Sequence, residues 1–260
     1  MRNRDARRRL VRRRVLTAFA AVAVLVLAAW AAGRWAYPAV LSGYRASTRH
    51  SEGLSWRRQG HAHLAAKQDT EAIRCYTKAI ECLGVDPDVY FQRGYAYFNV
   101  GDFNRAVADW TEVIKLKPDS VDAYHNRGVA FVRQGDHVAG FSDLAVACTM
   151  KGDTDGAIDN WTQVIARSPG HVAAYMNRGI LYFQIGESAE AHYDGGMACY
   201  KNGDYDGAIV FWTNAIRARP DWVEPYQLRG AAYCHRREYD KARHDWDRAA
   251  KLRAASKPAD

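Results

Sequence analysis

Nine histidines and five cysteines are the side chains best suited to metal or redox chemistry in this 260-residue chain. Two histidines bind a metal from one helix when they stand four residues apart, as in HxxxH or HExxH, because that spacing puts them on one face. His61 and His63 stand two apart, and six more have no partner at the required spacing: His125, His137, His171, His192, His235 and His244. The spacing predicts no metal site and no cofactor.

The cysteines and acids do not form a recognisable catalytic pattern either. No CxxC pair occurs, which favours small core residues over a disulfide framework for Cys75, Cys82, Cys148, Cys199 and Cys234. No P-loop, GxSxG or strand-embedded GxGxxG is present in the sequence. Acids in the turns between helices, such as Asp153, Asp155, Asp204 and Asp206, are typical helix caps. We therefore expect no catalytic residues and no enzyme activity.

The first 45 residues hold ten of the arginines against one acid, Asp5. From residue 46 onward the chain has 27 basic and 28 acidic residues, so the net charge of +8 belongs to the front end. A nucleic-acid-binding domain carries its basic excess on its own surface. The distribution therefore predicts no nucleic-acid partner.

An uncharged apolar stretch, residues 15–33, follows the basic residues 1–14. Nineteen residues in a helix extend about 28 Å, which is enough to cross a bilayer core. The positive-inside rule then predicts a single-pass signal anchor in a bacterial inner membrane, with residues 1–14 cytoplasmic and everything after Arg34 extracytoplasmic. The alternative is export after cleavage at the A-x-A sequence Ala29-Trp30-Ala31. The length of the apolar stretch favours the anchor, and residues 34–52 have the composition of a linker.

The rest of the chain is built from a repeat. Glycines that mark the same position recur at intervals of 34, 34, 51 and 51 residues: Gly60, Gly94, Gly128, Gly179 and Gly230. An aromatic stands four residues before each glycine, on the face where a second helix can approach closely. A second helical pattern follows twelve residues after the glycine, as in AVADWTEVI. The repeat predicts stacked pairs of amphipathic helices.

This pattern resembles the tetratricopeptide repeat, most clearly in VYFQRGYAYFNVGDFNRAVADWTEVIKLKP at 89–118. The resemblance covers about 53–253 and leaves 254–260 as a tail. It implies an all-α, right-handed solenoid of helix hairpins, preceded here by the transmembrane helix. It also implies a concave groove, lined by the first helices, for a protein or peptide partner.

The intervals of 51 depart from that family's period of 34 and equal one repeat plus one helix. They predict two three-helix units, 121–171 and 172–222, and about twelve solenoid helices. An Asp stands sixteen residues after each repeat Arg, which predicts ion pairs within each helix pair: Arg93 and Asp109, Arg127 and Asp143, Arg178 and Asp194, Arg229 and Asp245. These pairs leave 154–167 and 205–218 as the extra helices. With three helices in a unit, we expect either that the inner and outer helices of the solenoid exchange roles or that the solenoid bends near 150–175.

The face of the first helices that points away from the packed aromatics supplies the candidate groove. It mixes aromatic, amide and cationic side chains, which suits peptide recognition: Arg57, His61, Phe91, Tyr95, Asn99, His125, Asn126, Arg133, Met176, Asn177, Phe183 and Gln184. Four tryptophans fall instead at the core position of the second helices and are predicted to be buried: Trp110, Trp161, Trp212 and Trp246.

These expectations favour a membrane-anchored scaffold that mediates protein–protein interaction in envelope assembly or secretion. Two alternatives stay open. One is a structural platform in the membrane that self-associates as a homo-oligomer. The other is an enzyme with an unrecognised metal site.

Overall fold

The computed structural model describes residues 42–256, and every regular element in that range is a helix. Helix α1 is described from residue 42 to residue 65. Eleven further helices follow: α2 (Asp69–Leu83), α3 (Pro87–Asn99), α4 (Phe103–Leu116), α5 (Val121–Gln134), α6 (His137–Lys151), α7 (Thr154–Arg167), α8 (Val172–Gln184), α9 (Ser188–Lys201), α10 (Tyr205–Ala218), α11 (Val223–His235) and α12 (Tyr239–Ala255). From α2 onward, each helix packs mainly against its neighbours along the chain. The predicted all-α solenoid of about twelve helices is confirmed.

The front of the chain differs in part from its prediction. Residues 42–52, expected to belong to a linker, are helical and continuous with the rest of α1. The predicted membrane span 15–33 lies outside the described residues. Between residues 42 and 256, no helix is both long enough and apolar enough to cross a membrane.

Aspartates begin many of the helices, because a carboxylate can accept the backbone N–H groups that have no partner in the first turn. Asp153 accepts from the N–H of Gly156 at 3.0 Å, and Asp204 accepts from the N–H of Gly207 at 2.9 Å. The predicted capping role of Asp153 and Asp204 is confirmed. It is wrong for Asp155 and Asp206, which lie within the first turns of α7 and α10. At the other end of α5, Gly135 has a φ of 89°, a left-handed conformation that glycine adopts without steric cost.

All four predicted ion pairs are present, each with two parallel hydrogen bonds of 2.7–2.9 Å from the guanidinium to the carboxylate. Asp194 is the most buried of the four acids, with its residue 0% exposed. Burial lowers the pKa of Arg178, but the hydrogen bond and the attraction from Asp194 outweigh it, so the pKa of Arg178 is raised. The pair therefore holds α8 against α9 with the arginine charged.

Each of these arginines also contacts a third helix, which the sequence analysis did not predict. The Nη1 atom of Arg178 donates to Oγ1 of Thr162 at 2.9 Å, sixteen residues earlier in α7. The same contact, at 2.9–3.2 Å, joins Arg93 to Thr77, Arg127 to Thr111 and Arg229 to Thr213. Each guanidinium therefore ties its own pair of helices to the preceding helix.

The middle helix of the second three-helix unit, α9, has two roles. Towards α8 it is the second helix of a pair, because Asp194 binds Arg178. Towards α10 it is the first helix, because Trp212 Nε1 donates to the Tyr193 carbonyl at 3.2 Å. Trp110 of α4 donates to the Phe91 carbonyl of α3 in the same way, at 3.3 Å.

In the first unit, Ala145 of α6 and Trp161 of α7 lie in one buried cluster. The extra helices α7 and α10 are thus second helices of α6 and α9. This arrangement supports the exchange of roles over a bend.

Burial of the predicted tryptophans follows from what packs next to them. Trp110, Trp161 and Trp212 are 1%, 5% and 0% exposed, as predicted. The prediction is wrong for Trp246, which is 44% exposed, because α12 is the last helix described and no further first helix covers it. Among the cysteines, Cys75 is buried and the other four are half-buried, all as free thiols.

Candidate partner-binding site

The twelve predicted groove residues lie on four helices: α1, α3, α5 and α8. Eight of them are exposed, namely His61, Tyr95, Asn99, His125, Arg133, Met176, Phe183 and Gln184. The remaining four are half-buried, namely Arg57, Phe91, Asn126 and Asn177. Two thirds of the predicted residues are therefore accessible to a partner, and the contacts within the chain distinguish them further.

Several of the predicted residues on α1 and α3 already have partners in the protein. The ring of Phe91 lies 6.5 Å from that of Trp110, so Phe91 contributes to packing. Asn99 donates to Asp69 at 2.8 Å. Tyr95 remains 45% exposed and is the most accessible large side chain of α3.

Two predicted residues of α1 also have internal partners. Arg57 forms a 3.3 Å ion pair with Asp86, the N-cap of α3. His61 Nδ1 lies 3.1 Å from the hydroxyl of Tyr76. These contacts connect α1 to its neighbours and leave α1 less free for a partner.

Helix α8 is different, because it exposes an apolar stripe. Met176, Ile180 and Phe183 are 54%, 55% and 71% exposed. Their spacing of four and three residues places them on one face. Arg178 is the only charged residue in the helix, and its guanidinium is bound to Asp194 and Thr162. An exposed apolar stripe of this kind is a candidate interaction site.

Beside this stripe lies a groove of about 500 Å³. Its lining comes from three consecutive helices: Met176, Gly179, Ile180, Phe183 and Gln184 of α8, Ala191, His192 and Gly195 of α9, and Phe211 of α10. The α9 residues are small except for His192, whose ring lies 6.2 Å from that of Phe211. The groove is therefore apolar, with Gln184 and His192 as the two polar side chains in its lining.

A second cleft of about 240 Å³ also borders α8, and Ile180 and Gln184 line both spaces. Asn177 lies in this second cleft, together with Val146, Thr149 and Met150 of α6 and Trp161 of α7. The structure thus brings together all four groove residues predicted on α8. The predicted residues on α1, α3 and α5 line neither cleft.

Four residues of the groove were not predicted from the sequence: Ile180, His192, Gly195 and Phe211. Ile180 could have been found from its spacing to Met176 and Phe183 on one helical face. The other three belong to α9 and α10, whose position beside α8 is a tertiary feature. A comparison of the two 51-residue units would have found Gly195, because the matching residue in the first unit is Leu144.

The described residues also allow a test for metal chemistry. Across residues 42–256, no three His, Cys, Asp or Glu side chains are placed to hold one metal ion. The ring of His192, the histidine in the lining of the groove, lies 6.2 Å from that of Phe211.

Comparisons with known proteins agree with the helix pairs. Family models for the tetratricopeptide repeat match residues 75–108 and 151–194, and a TPR repeat model matches residues 96–135. These matches support the resemblance to the tetratricopeptide repeat and a role in protein–protein interaction. A comparison with curated protein sequences gave no match.

Solved structures to which this chain is similar include MamA, residues 41 to the end, from Desulfovibrio magneticus RS-1. It is 18% identical, with 80% of this chain and 98% of that chain covered and a TM-score of 0.33. The TPR domain of P58(IPK) is 19% identical, with 77% and 60% covered and a TM-score of 0.38. The second TPR domain of human RPAP3, solved with an HSP70 peptide, is 22% identical, with 45% and 97% covered and a TM-score of 0.40.

Proposed function

We propose that this tetratricopeptide-like protein is a membrane-anchored scaffold that holds a protein partner on the extracytoplasmic side of a bacterial inner membrane, in envelope assembly or secretion. The observation that carries the proposal is the exposed apolar stripe of α8, which lies on a rigid array of packed helices. Met176, Ile180 and Phe183 are more than half exposed, although apolar side chains in contact with water do not stabilise the fold. Their burial by a partner removes this apolar area from water and stabilises the complex.

The array itself suits a scaffold. Bidentate Arg–Asp pairs and the threonine contacts connect successive helices, so the surface presented by α8 is held in a fixed geometry. A preorganised surface loses little conformational entropy when a partner binds. The body from residue 46 onward is close to electrically neutral, which favours a protein over a nucleic acid as partner.

The anchor is supported by the apolar residues 15–33 and the arginines that precede them. Alkaline phosphatase, which is active only outside the cytoplasm, can be fused after residue 260 and compared with a cytoplasmic reporter at the same position. The proposed topology expects phosphatase activity alone. Activity of only the cytoplasmic reporter contradicts it.

The scaffold role can be tested by photo-crosslinking in living cells. A photo-reactive amino acid at Phe183, and separately at Tyr95, reports on α8 and on α3 in the full-length chain. We expect defined crosslinked species that are identified by mass spectrometry and that differ in mass from multiples of this chain. Crosslinks to a second copy alone contradict the scaffold role and favour the self-associating platform.

A further inference from the structure

The two 51-residue units have the same helices but fill the space between them differently. In the first unit, Leu144 of α6 lies over α5, and its Cγ stands 3.0 Å from where a Cβ on Gly128 would be. The matching residue in the second unit is Gly195 of α9, opposite Gly179. The side chain that fills the first unit is therefore absent from the second.

A second position also packs into the first unit but not into the second. Val132 in the first unit is half-buried, and its Cγ2 packs against Gly140. Its counterpart in the second unit, Phe183, is 71% exposed and lines the groove. Leu144 and Val132 thus pack inside the first unit, whereas their counterparts Gly195 and Phe183 do not fill the matching space of the second.

The third helix of each unit shows a further difference. Asn160 of α7 donates to the carbonyl of Gly156 in its own helix at 2.7 Å. Its counterpart Phe211 lies against Gly195, with ring atoms 2.7 Å from where a Cβ on that glycine would be. The second unit therefore has an apolar wall beside the space that it leaves open, and this space is the groove of about 500 Å³.

We infer that the groove of the second unit binds leucine-sized apolar side chains from an amphipathic helix of the partner protein. The inference rests on the proposed scaffold function and identifies the class of partner. The matching position in the first unit carries the chain's own leucine, and the lining of the groove is apolar, so an aliphatic side chain suits its chemistry. No charged side chain lines the groove, and the guanidinium of Arg178 is already bound to Asp194.

The second cleft argues for a helical partner. Ile180 and Gln184 line both clefts, so the exposed face of α8 forms a ridge between them. A helix with its side chains is about 10 Å wide, and residues i and i+7 of a partner helix are also about 10 Å apart along its axis. One apolar helix face can therefore place side chains on both sides of the ridge, in the manner of helix-in-groove recognition. Gln184 and His192 remain to hydrogen-bond the polar edge of that helix.

The test uses the full-length chain in zwitterionic lipid nanodiscs and a fluorescein-labelled 18-residue peptide. The peptide has leucines at i, i+4, i+7 and i+11 on a Lys/Glu background. A second peptide has the same composition with the leucines distributed around the helix. Anisotropy, corrected with empty nanodiscs, is expected to show at least tenfold tighter binding of the striped peptide. Equal affinity for the two peptides overturns the inference.

The variant that fills the groove is Gly195→Leu/Phe211→Asn, which places the residues of the first unit at these two positions of the second. Because Leu144 and Asn160 are accommodated in the first unit, we expect the variant to keep its helical circular dichroism and to bind the striped peptide at least tenfold more weakly. A second, exposed pair of variants does not depend on repacking. Met176→Asp is expected to weaken binding at least tenfold. The control Val210→Asp, at a 60% exposed position of α10 that lines neither cleft and whose counterpart in the first unit is Asp159, is expected to leave it unchanged.

Binding that neither Gly195→Leu/Phe211→Asn nor Met176→Asp weakens overturns the inference. So does light scattering that shows a dimer which Met176→Asp dissociates, because a second copy is then the occupant. Crosslinking to a partner from Tyr95, with no binding of the striped peptide to α8, overturns the groove assignment alone and leaves the scaffold function standing.

Discussion

Replacing Asp194 by alanine is expected to be among the most destabilising changes in the array. Its carboxylate accepts two hydrogen bonds of 2.8 Å from Arg178, and the side chains of the two residues are 1% and 12% exposed. Asp194→Ala leaves the guanidinium buried without its counter-charge. The loss of one partner from such a pair costs about 3–5 kcal/mol.

A double-mutant cycle separates this penalty from the value of the pair. In Arg178→Met/Asp194→Leu both charges are removed and apolar side chains take their space, which is often neutral or stabilising. The cycle is completed by the single variants Arg178→Met and Asp194→Leu. We expect the double variant to be more stable than either single variant, with a coupling energy of about 2 kcal/mol or more. Asp143→Ala is the matched control in the first unit and should cost less, because the Asp143 side chain is 11% exposed.

The assay combines urea unfolding with hydrogen exchange, because repeat arrays do not always unfold as a single unit. The amides of α8 and α9 should lose protection before those of α3 and α4 in Asp194→Ala. A cost below about 1 kcal/mol, or additive effects of the two single substitutions, would refute a buried pair that depends on both partners.

Three further outcomes follow from burial and close packing. Trp212→Ala should lower the free energy of unfolding by about 3–5 kcal/mol in urea titrations, and Trp246→Ala by less than half of that, because Trp212 is 0% and Trp246 is 44% exposed. Gly196→Ala should lower the free energy of unfolding by about 1–3 kcal/mol, because its Cβ would stand 2.3 Å from Trp212 Nε1. Gly170→Ala, whose Cβ would have no atom within 4 Å, should be neutral or slightly stabilising in thermal melts. Burial, with a smaller effect of Cys75, raises the pKa of Tyr76 from 10.0 to about 12. The folded state therefore disfavours the phenolate. The stability that Tyr76 contributes below pH 10 is lost as the pH rises towards 12, and the free energy of unfolding falls by about 2–3 kcal/mol. In unfolding measured as a function of pH, Tyr76→Phe should abolish this loss.

Much of the fold was predictable because it depends on short-range periodicity. Apolar residues at helical spacing, glycines at helix crossings and capping aspartates are local signals, and α7 and α10 lie where the repeat places its extra helices. The Arg–Asp pairs were also predictable, because a fixed separation of sixteen residues joins the facing positions of two consecutive helices.

The candidate site was predictable only on α8. Met176, Asn177, Phe183 and Gln184 could be chosen from one helical face, and they line the two clefts. The same pattern on α3 selected Phe91, which packs against Trp110 instead. A helical face indicates which direction a side chain takes, but the neighbouring helix decides whether that direction leads to solvent.

The sequence by itself determined that this protein is an array of helix pairs with two units lengthened by one helix, because periodicity and pairing within consecutive helices are properties of a short stretch of chain. Only the tertiary structure decided that α9 serves both α8 and α10, that Trp246 is uncovered, and that Gly195 and Phe211 leave an open groove beside α8. Each of these features depends on which side chains three or more helices bring into one space, and packing in that space is set by volume and contact rather than by spacing along the chain.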